Sequence, residues 1–407
     1  VRKPNQLMRL AIPLTLAALV IVSVACAPDS PEVSDAASAS ESASTPSAQA
    51  EITLTADPTF VLGSIDAPAP EQFGFGPGVA AMPDGSIWVL EQQTKELRHF
   101  DPSGTHLRTV GGAGDGPGEF RNPTLIGVGP GDSLFVVDQD IGRTTVLSSA
   151  GDLGRTAPFF TVFELPLRGM TVLEDGSVAA RVSMPIFVGR MDVGEITPDS
   201  GAVVRIRYPD VDTVGWYRST RSIYTGGRPV SEEIRFTGTD AIASAGDAIL
   251  ATSGSEFVVR DLVGGTTPFR VDRQPRPVSD SLVDAIRAEF AVRYEDPAVG
   301  ESALNVIDEQ REHRPTHTPA YDILLVSPSG QVWARPWAAG NVGHIFGGYP
   351  RPDPDFWDVF APSGEYLGQV ETPGRLAVET VGDGFIIGMR IDDLGVVSLE
   401  RLEIAER

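Results

Sequence analysis

Cysteine is almost absent from the chain: Cys26 is the single one in 407 residues. That excludes an internal disulfide framework and any zinc module built from several thiolates. Positive charge is scarce as well. Thirty-two Lys and Arg against 55 Asp and Glu leave a formal net charge of −23, which excludes the basic footprint that a nucleic-acid binder needs for counterion release. No Gly-x-Ser-x-Gly elbow occurs, so an ordinary serine hydrolase is excluded. The Gly-rich run at 111–118 places Pro117 where a dinucleotide fingerprint needs freedom, and no helical pattern follows it, so it is no phosphate cradle. In contrast, Gly and Pro are abundant, at 43 and 33, too many for a mainly helical protein.

The first fifty residues stand apart. Arg2, Lys3 and Arg9 precede an apolar run at 10–24 that ends in Ser23-Val24-Ala25-Cys26. A basic start, a short apolar stretch and small residues at its end make residues 1–25 a secretory signal. Cys26 directly after it resembles a bacterial lipobox, although Ser23 stands where an aliphatic residue is usual. The resemblance implies lipidation of Cys26. Residues 26–50 are Ala, Ser, Pro and acidic residues with almost nothing to bury, and they read as a disordered, flexible tether. Removing 1–25 makes the chain three charges more negative. The body is therefore expected to stand off an anionic bilayer, held at the bacterial cell envelope by the anchor alone. Ala27 after the Cys favours outer-membrane sorting.

From about residue 51 onward, short β-rich runs alternate with turn signals. Pro83-Asp84-Gly85 precedes Ser86-Ile-Trp-Val-Leu, and Gly129-Pro-Gly-Asp132 precedes Ser133-Leu-Phe-Val-Val. Similar turns carry Gly176, Gly246, Gly330 and Gly384. Asp-Gly and Gly-Asp pairs between such runs mark hairpins, because Gly accepts positive φ. The first two intervals between these glycines suit one four-stranded propeller blade each, and the longer ones require insertions. A second turn class follows later in each unit, as in His99-Phe-Asp-Pro-Ser-Gly104 and Phe360-Ala-Pro-Ser-Gly364. Two turn classes in fixed order favour an all-β six-bladed β-propeller over residues 51–407, rather than a sandwich pair or a β-helix. The segment 52–62 is left over to pair with the last blade and cover its free edge.

Phe75-Gly-Pro-Gly, the run GDGPGEF ending at Phe120, LFVVDQDIGRTTVL from Leu134, and FWDVFAPSGEYLGQV from Phe356 resemble the bacterial six-bladed β-propeller family. Its members are NHL-repeat-like and commonly anchored as lipoproteins. The resemblance covers roughly residues 52–404. It implies fold and anchoring strongly and activity weakly.

Insertions are expected at about 209–235 and 275–318. In the second, Leu282, Val283, Ile286 and Phe290 share one face of a helix that Ser279 or Asp280 caps. The segment 213–228 brings Trp216, Tyr217, Arg218, Arg221 and Arg228 together without an acidic residue. Aromatic faces beside guanidinium groups suit an anionic or sugar-like ligand. Trp337 and His344 are further candidates near a channel mouth. No catalytic residue, metal ligand or cofactor emerges. His313 and His317 have Pro315 between them, which opposes a helical zinc pair. Asp138 and Asp140 have the oxygens for Ca²⁺, but the NHL-like pattern implies that Asp138 braces its blade with Arg143. The expected function is a binding or scaffold module for a protein or small ligand, with no nucleic-acid partner and no membrane contact beyond the lipid. The alternative is a metal-dependent lactonase, esterase or lyase with its site in the central channel.

Overall fold

The computed structural model describes residues 52–406 except 75, 160–166, 174, 183–191, 193, 197–199, 219–220, 225–231, 234–241, 246–247, 253–257, 263–268, 271–275, 294–309 and 338–353. Residues 1–50, which carry the expected signal sequence, tether and lipidated Cys26, lie outside the described residues.

The chain is an all-β propeller. Five sheets are each built from four consecutive antiparallel strands, spanning 78–111, 123–158, 167–218, 242–270 and 321–372. The six four-stranded blades expected are therefore five; Ser222–Ile223 and Glu232–Glu233 form a separate two-stranded sheet, and one more sheet completes the ring. It is five-stranded and draws on both chain ends: Ala377–Gly382, Phe385–Ile391 and Val397–Glu406 are joined by Ile52–Leu54 and Phe60–Leu62, both paired with Val397–Glu406. Ile52 lies opposite Glu406 and Leu62 opposite Leu399, so the leftover segment covers the last free edge, as its sequence suggests.

The first strand of each sheet touches the first strand of the next. The order is Gly78–Ala81, Pro123–Gly129, Leu167–Val172, Ile242–Ala245, Tyr321–Val326, Ala377–Gly382, and back to Gly78–Ala81. These strands ring an axis. Apolar layers fill the space between successive sheets, because both faces of every blade are covered and inner residues on both sides must be apolar. Trp88, Leu90, Leu134 and Val136 pack between the first two sheets. Phe60, Phe385 and Ile387 against Ile87, Val89 and Phe100 close the ring between the last and the first.

Antiparallel connectivity sends alternate connections to opposite faces. On one face the chain turns tightly within each hairpin. Asp84 Oδ1 accepts from the Ser86 N–H at 2.9 Å and from its hydroxyl at 2.6 Å, and Asp175 holds Ser177 in the same way. Gly85 and Gly176 take φ of 83° and 78° in these turns, where a side chain would be strained. Neighbouring sheets are stitched on this turn face. Trp88 Nε1 donates to Ser149 O at 3.1 Å, and the Ser329 N–H donates to Asp383 Oδ1 at 2.9 Å. Arg401 Nη1 donates to Gly85 O at 2.7 Å while its guanidinium lies 3.7 Å over the Phe385 ring. The longest connection on this face is 262–268. The opposite, loop face joins the ends of connections 63–77, 112–122, 183–199, 219–241, 271–320 and 337–354.

One of these long connections carries the single helix of the described residues, Asp280–Arg293. Ser279 caps it, through its hydroxyl to the Leu282 N–H at 3.3 Å. Val283 and Ile286 are buried, as the periodicity predicts. The two ends of this excursion are clasped together: the Val278 N–H donates to Thr316 O at 3.0 Å and the Thr318 N–H to Arg276 O at 2.9 Å. His317 sits in the clasp opposite Pro277 and His313 in a short 3₁₀ turn, so the two histidines share no helix. The first expected insertion, at about 209–235, is corrected in its first part, because Asp210–Arg218 is the outermost strand of the third sheet; beyond it, Ser222–Ile223 pairs with Glu232–Glu233 outside the blades.

Candidate functional site

Four of the ring strands lose register near the ends that meet the loop face. The irregularities fall between Pro123 and Leu125, Arg168 and Thr171, Tyr321 and Ile323, and Val378 and Thr380. The residues set apart are Thr124, Gly169 with Met170, Asp322 and Glu379. A bulge leaves its extra residue out of the ladder and re-aims the side chain. A ring strand pairs on one side only, so the edge left over faces the axis.

At three of these positions the protein satisfies the side chain itself. The Gln139 amide donates to Thr124 Oγ1 at 3.0 Å and reaches Met170 Sδ at 3.8 Å, linking the second and third sheets. Arg335 clasps Asp322 with two parallel bonds, Nε to Oδ1 at 2.8 Å and Nη2 to Oδ2 at 3.0 Å. It also donates from Nη1 to buried Asp355 at 3.1 Å and lies 6.0 Å over the Trp357 ring. The bidentate fork is the strongest form of such a pair.

Glu379 is the exception. Its neighbours Val378 and Val381 belong to the apolar layer toward the fifth sheet and Ala377 to the layer toward the first. Glu379 falls at the register slip of this innermost strand, whose unpaired edge faces the axis. Its carboxyl has no hydrogen bond or ion pair among the described residues, and burial alone raises its pKa from the usual 4.5 to about 7. The residue still keeps partial contact with solvent. A carboxyl poised near neutrality and left without a donor is suited to hold a ligand's positive charge or to exchange a proton with it.

Two acids at the loop-face ends of second strands are braces. Asp138 is fully buried; its Oδ2 accepts from the N–H groups of Arg121 at 2.7 Å and Asn122 at 3.1 Å, and its Oδ1 from those of Asp140 at 3.1 Å and Ile141 at 3.3 Å. Glu91 does the same for Gly74 at 2.7 Å and Gln93 at 2.9 Å. The brace role of Asp138 is correct, but its expected side-chain partner is not. Arg143 instead grips the GDGPGEF loop, donating to the carbonyls of Asp115, at 3.0 Å, and Glu119. With four N–H groups on its oxygens, Asp138 has no free face for Ca²⁺. Among the described residues no three His, Cys, Asp or Glu side chains converge.

The structure separates the residues picked from the sequence. Trp216 and Tyr217 are consecutive on an outermost strand and point to opposite sides. Trp216 is 69% exposed, whereas Tyr217 is buried against Leu173, Val203 and Ile249 under the Arg181 guanidinium. Tyr217 is thus a packing residue, because period-two alternation puts it in the layer between the third and fourth sheets. Arg218 ends that strand and Arg221 follows it, half-buried. Trp337 lies near the ring in the fifth sheet, its N–H donating to Ala320 O at 3.0 Å. It does not join the Trp216 segment on the rim of the third. Arg228 and His344 lie outside the described residues. Glu379 and Asp322 were missed, yet each is an acid inside an otherwise apolar run, Leu376-Ala-Val-Glu-Thr-Val and Tyr321-Asp-Ile-Leu-Leu. A charge at such a position is the signal.

No protein-family model and no curated protein matches the chain. Among solved structures it is similar to a member of the DUF4221 family from Bacteroides vulgatus, at 10% identity over 88% of this chain and 100% of that one, with a TM-score of 0.48. It is also similar to virginiamycin B lyase from Staphylococcus aureus, at 9% identity over 87% and 100% with a TM-score of 0.40. A calcium-binding protein, regucalcin, from Agrobacterium tumefaciens matches at 11% identity over 87% and 96% with a TM-score of 0.38. Likeness this distant carries no activity to the chain, and the fold itself rests on the strand pairing. Among the described residues no helix is long and apolar enough to cross a membrane.

Proposed function

We propose that this protein is a binding module of the bacterial cell envelope, a six-bladed propeller tethered through a lipidated Cys26 that receives a protein or small ligand on its loop face. The terminal sheet counts as the sixth blade in this reading. The observation that carries it is the asymmetry of the two faces: the longest connections run between strand ends on one side, and the other side is mostly short turns with contacts between neighbouring sheets. Recognition concentrates on loops held by a rigid scaffold. Ile52 pairs with Glu406 at the turn-face end of its strand, so the first described strand starts on the side away from the loop face. The alternative, a metal-dependent lactonase, esterase or lyase, needs several converging ligands, and no group of three is found among the described residues.

Photo-crosslinking tests the reading. A crosslinking residue is placed singly at Gln93, Asp140, Trp337 and Asp393 on the loop face, and at Ser103, Ser149 and Ser363 on the turn face. Adducts in intact cells are expected from the first set alone. Equal adducts from both sets would overturn it. Cys26→Ser is expected to release the protein from membranes, and an unchanged membrane fraction would remove the anchor.

A further inference from the structure

We propose that Glu379 anchors a site for a protonated amine on the propeller axis, reached from the loop face. This names the chemistry taken at the centre of the binding face and rests on that reading. Three features of the structure carry it.

The first is placement. Glu379 is the displaced residue of a bulged ring strand, the innermost of its sheet, whose unpaired edge faces the axis.

The second is what surrounds it. On the side of the fifth sheet the charged groups are Asp322, Arg335 and Asp355, and Arg335 is committed to the two acids. On the adjoining strand of its own sheet, Arg390 Nε donates to Glu400 at 2.6 Å and its Nη1 to Gly374 O at 2.7 Å. On the side of the first sheet, Gly78–Ala81 carries no titratable group. Around the ring, the Gln139 amide is spent on Thr124 and Met170. The charged donors named here already have acceptors, and the displaced residues Thr124, Met170, Asp322 and Glu379 offer oxygen and sulfur. A ligand with N–H donors and positive charge complements them.

The third is energetic. Burial that no donor compensates holds the carboxyl near pH 7, so an incoming ammonium gains a partner whose ionised form the protein alone supports poorly. The net charge of −23 raises the local concentration of cations around the whole body. A simple metal cation fits less well, because no cluster of three ligating side chains converges among the described residues.

The experiment uses the full chain with n-butylamine as probe and 1-butanol as its neutral analogue, at matched ionic strength, read by thermal melting and by calorimetric titration. Butylammonium is expected to raise the melting temperature at pH 8, and butanol to leave it unchanged. Butylamine stays protonated at pH 6 and pH 8, whereas the ionised fraction of a carboxyl titrating near 7 falls from about nine-tenths at pH 8 to about one-tenth at pH 6. Its affinity should thus drop about tenfold between the two. Glu379→Gln should melt cooperatively and lose the response. A response that survives in Glu379→Gln, one shared with butanol, the absence of any response in the unaltered chain, or protection by CaCl₂ but not by butylammonium would each overturn the proposal. Loop-face crosslinks would outlast all of these results, so failure here is distinguishable from failure of the binding-face reading.

Discussion

Replacing Glu379 with Gln should stabilise the protein in alkaline solution and do little in acid. The carboxyl titrates near 7 in the fold and at its ordinary value of 4.5 once unfolded. Between those values the native state holds a proton that the unfolded state has lost. Stability must therefore fall as pH rises from 4.5 through 7 and level off above it. The separation of some two and a half units corresponds to about 3 kcal/mol at 1.36 kcal/mol per unit. Gln keeps the shape and the neutral hydrogen-bonding character of the protonated acid at every pH. The difference between variant and parent should be near zero at pH 4.5 and grow to about 3 kcal/mol in the variant's favour above pH 8. Urea unfolding followed by tryptophan fluorescence at pH 5.0 and 8.5 reads it. The acids whose pKa lies below the ordinary value, Asp84, Glu96, Asp101 and Glu403, lose stabilisation as pH falls, and buried His99 resists protonation. All five are common to both proteins and cancel in the difference. Parallel pH profiles for parent and variant would show that Glu379 is neither enclosed nor without a partner.

Other substitutions probe the packing around the site. Arg335→Leu removes the counter-charge of Asp322 and buried Asp355 and should cost about 3 kcal/mol in urea unfolding; a loss below about 1 kcal/mol would show that the fork contributes little. Tyr217→Ala should cost about 3 kcal/mol, whereas Trp216→Ala, one residue away, should stay within about 0.5 kcal/mol. Equal effects would contradict the alternation of that strand. Asp138→Ala leaves four backbone N–H groups without their acceptor and should cost at least about 2 kcal/mol, while EDTA should not shift the melting temperature of the parent; a chelator-sensitive melt would return Asp138 to the metal ligands.

The parts of the fold legible in the sequence are those where backbone geometry dictates residue type. The turns at Gly85, Gly176 and Gly330 take φ between 78° and 87°, and Asp84 or Asp175 must stand where its carboxylate can hold the following Ser. Such constraints recur in every blade, so they write a repeat. Both turn classes that reveal the repeat lie on one face, because the first and third hairpin turns of an antiparallel four-stranded blade close on the same side. The helix was legible for a similar reason, since Ser279 and the spacing of Val283 and Ile286 are local requirements.

The loop face had no such legibility, and the reason is structural. Its long connections differ in length from blade to blade, so they write no repeat. The Trp216 segment misled because local composition, aromatic and basic with no acid, says nothing about alternation. Once residues 210–218 form a strand, Tyr217 must point inward and the apparent cluster divides. The position of Glu379 depends on a bulge, whose effect is to break the period on which sequence reading relies. A regular strand would have laid Glu379 on the face that Ala377 shares with the first sheet, where no donor waits for it. The slip in register takes Glu379 out of that alternation. An enclosed acid with no counter-charge costs stability at neutral pH, and a plain core strand has no reason to carry it. The combination of bulge and acid is therefore best explained by something the axis receives.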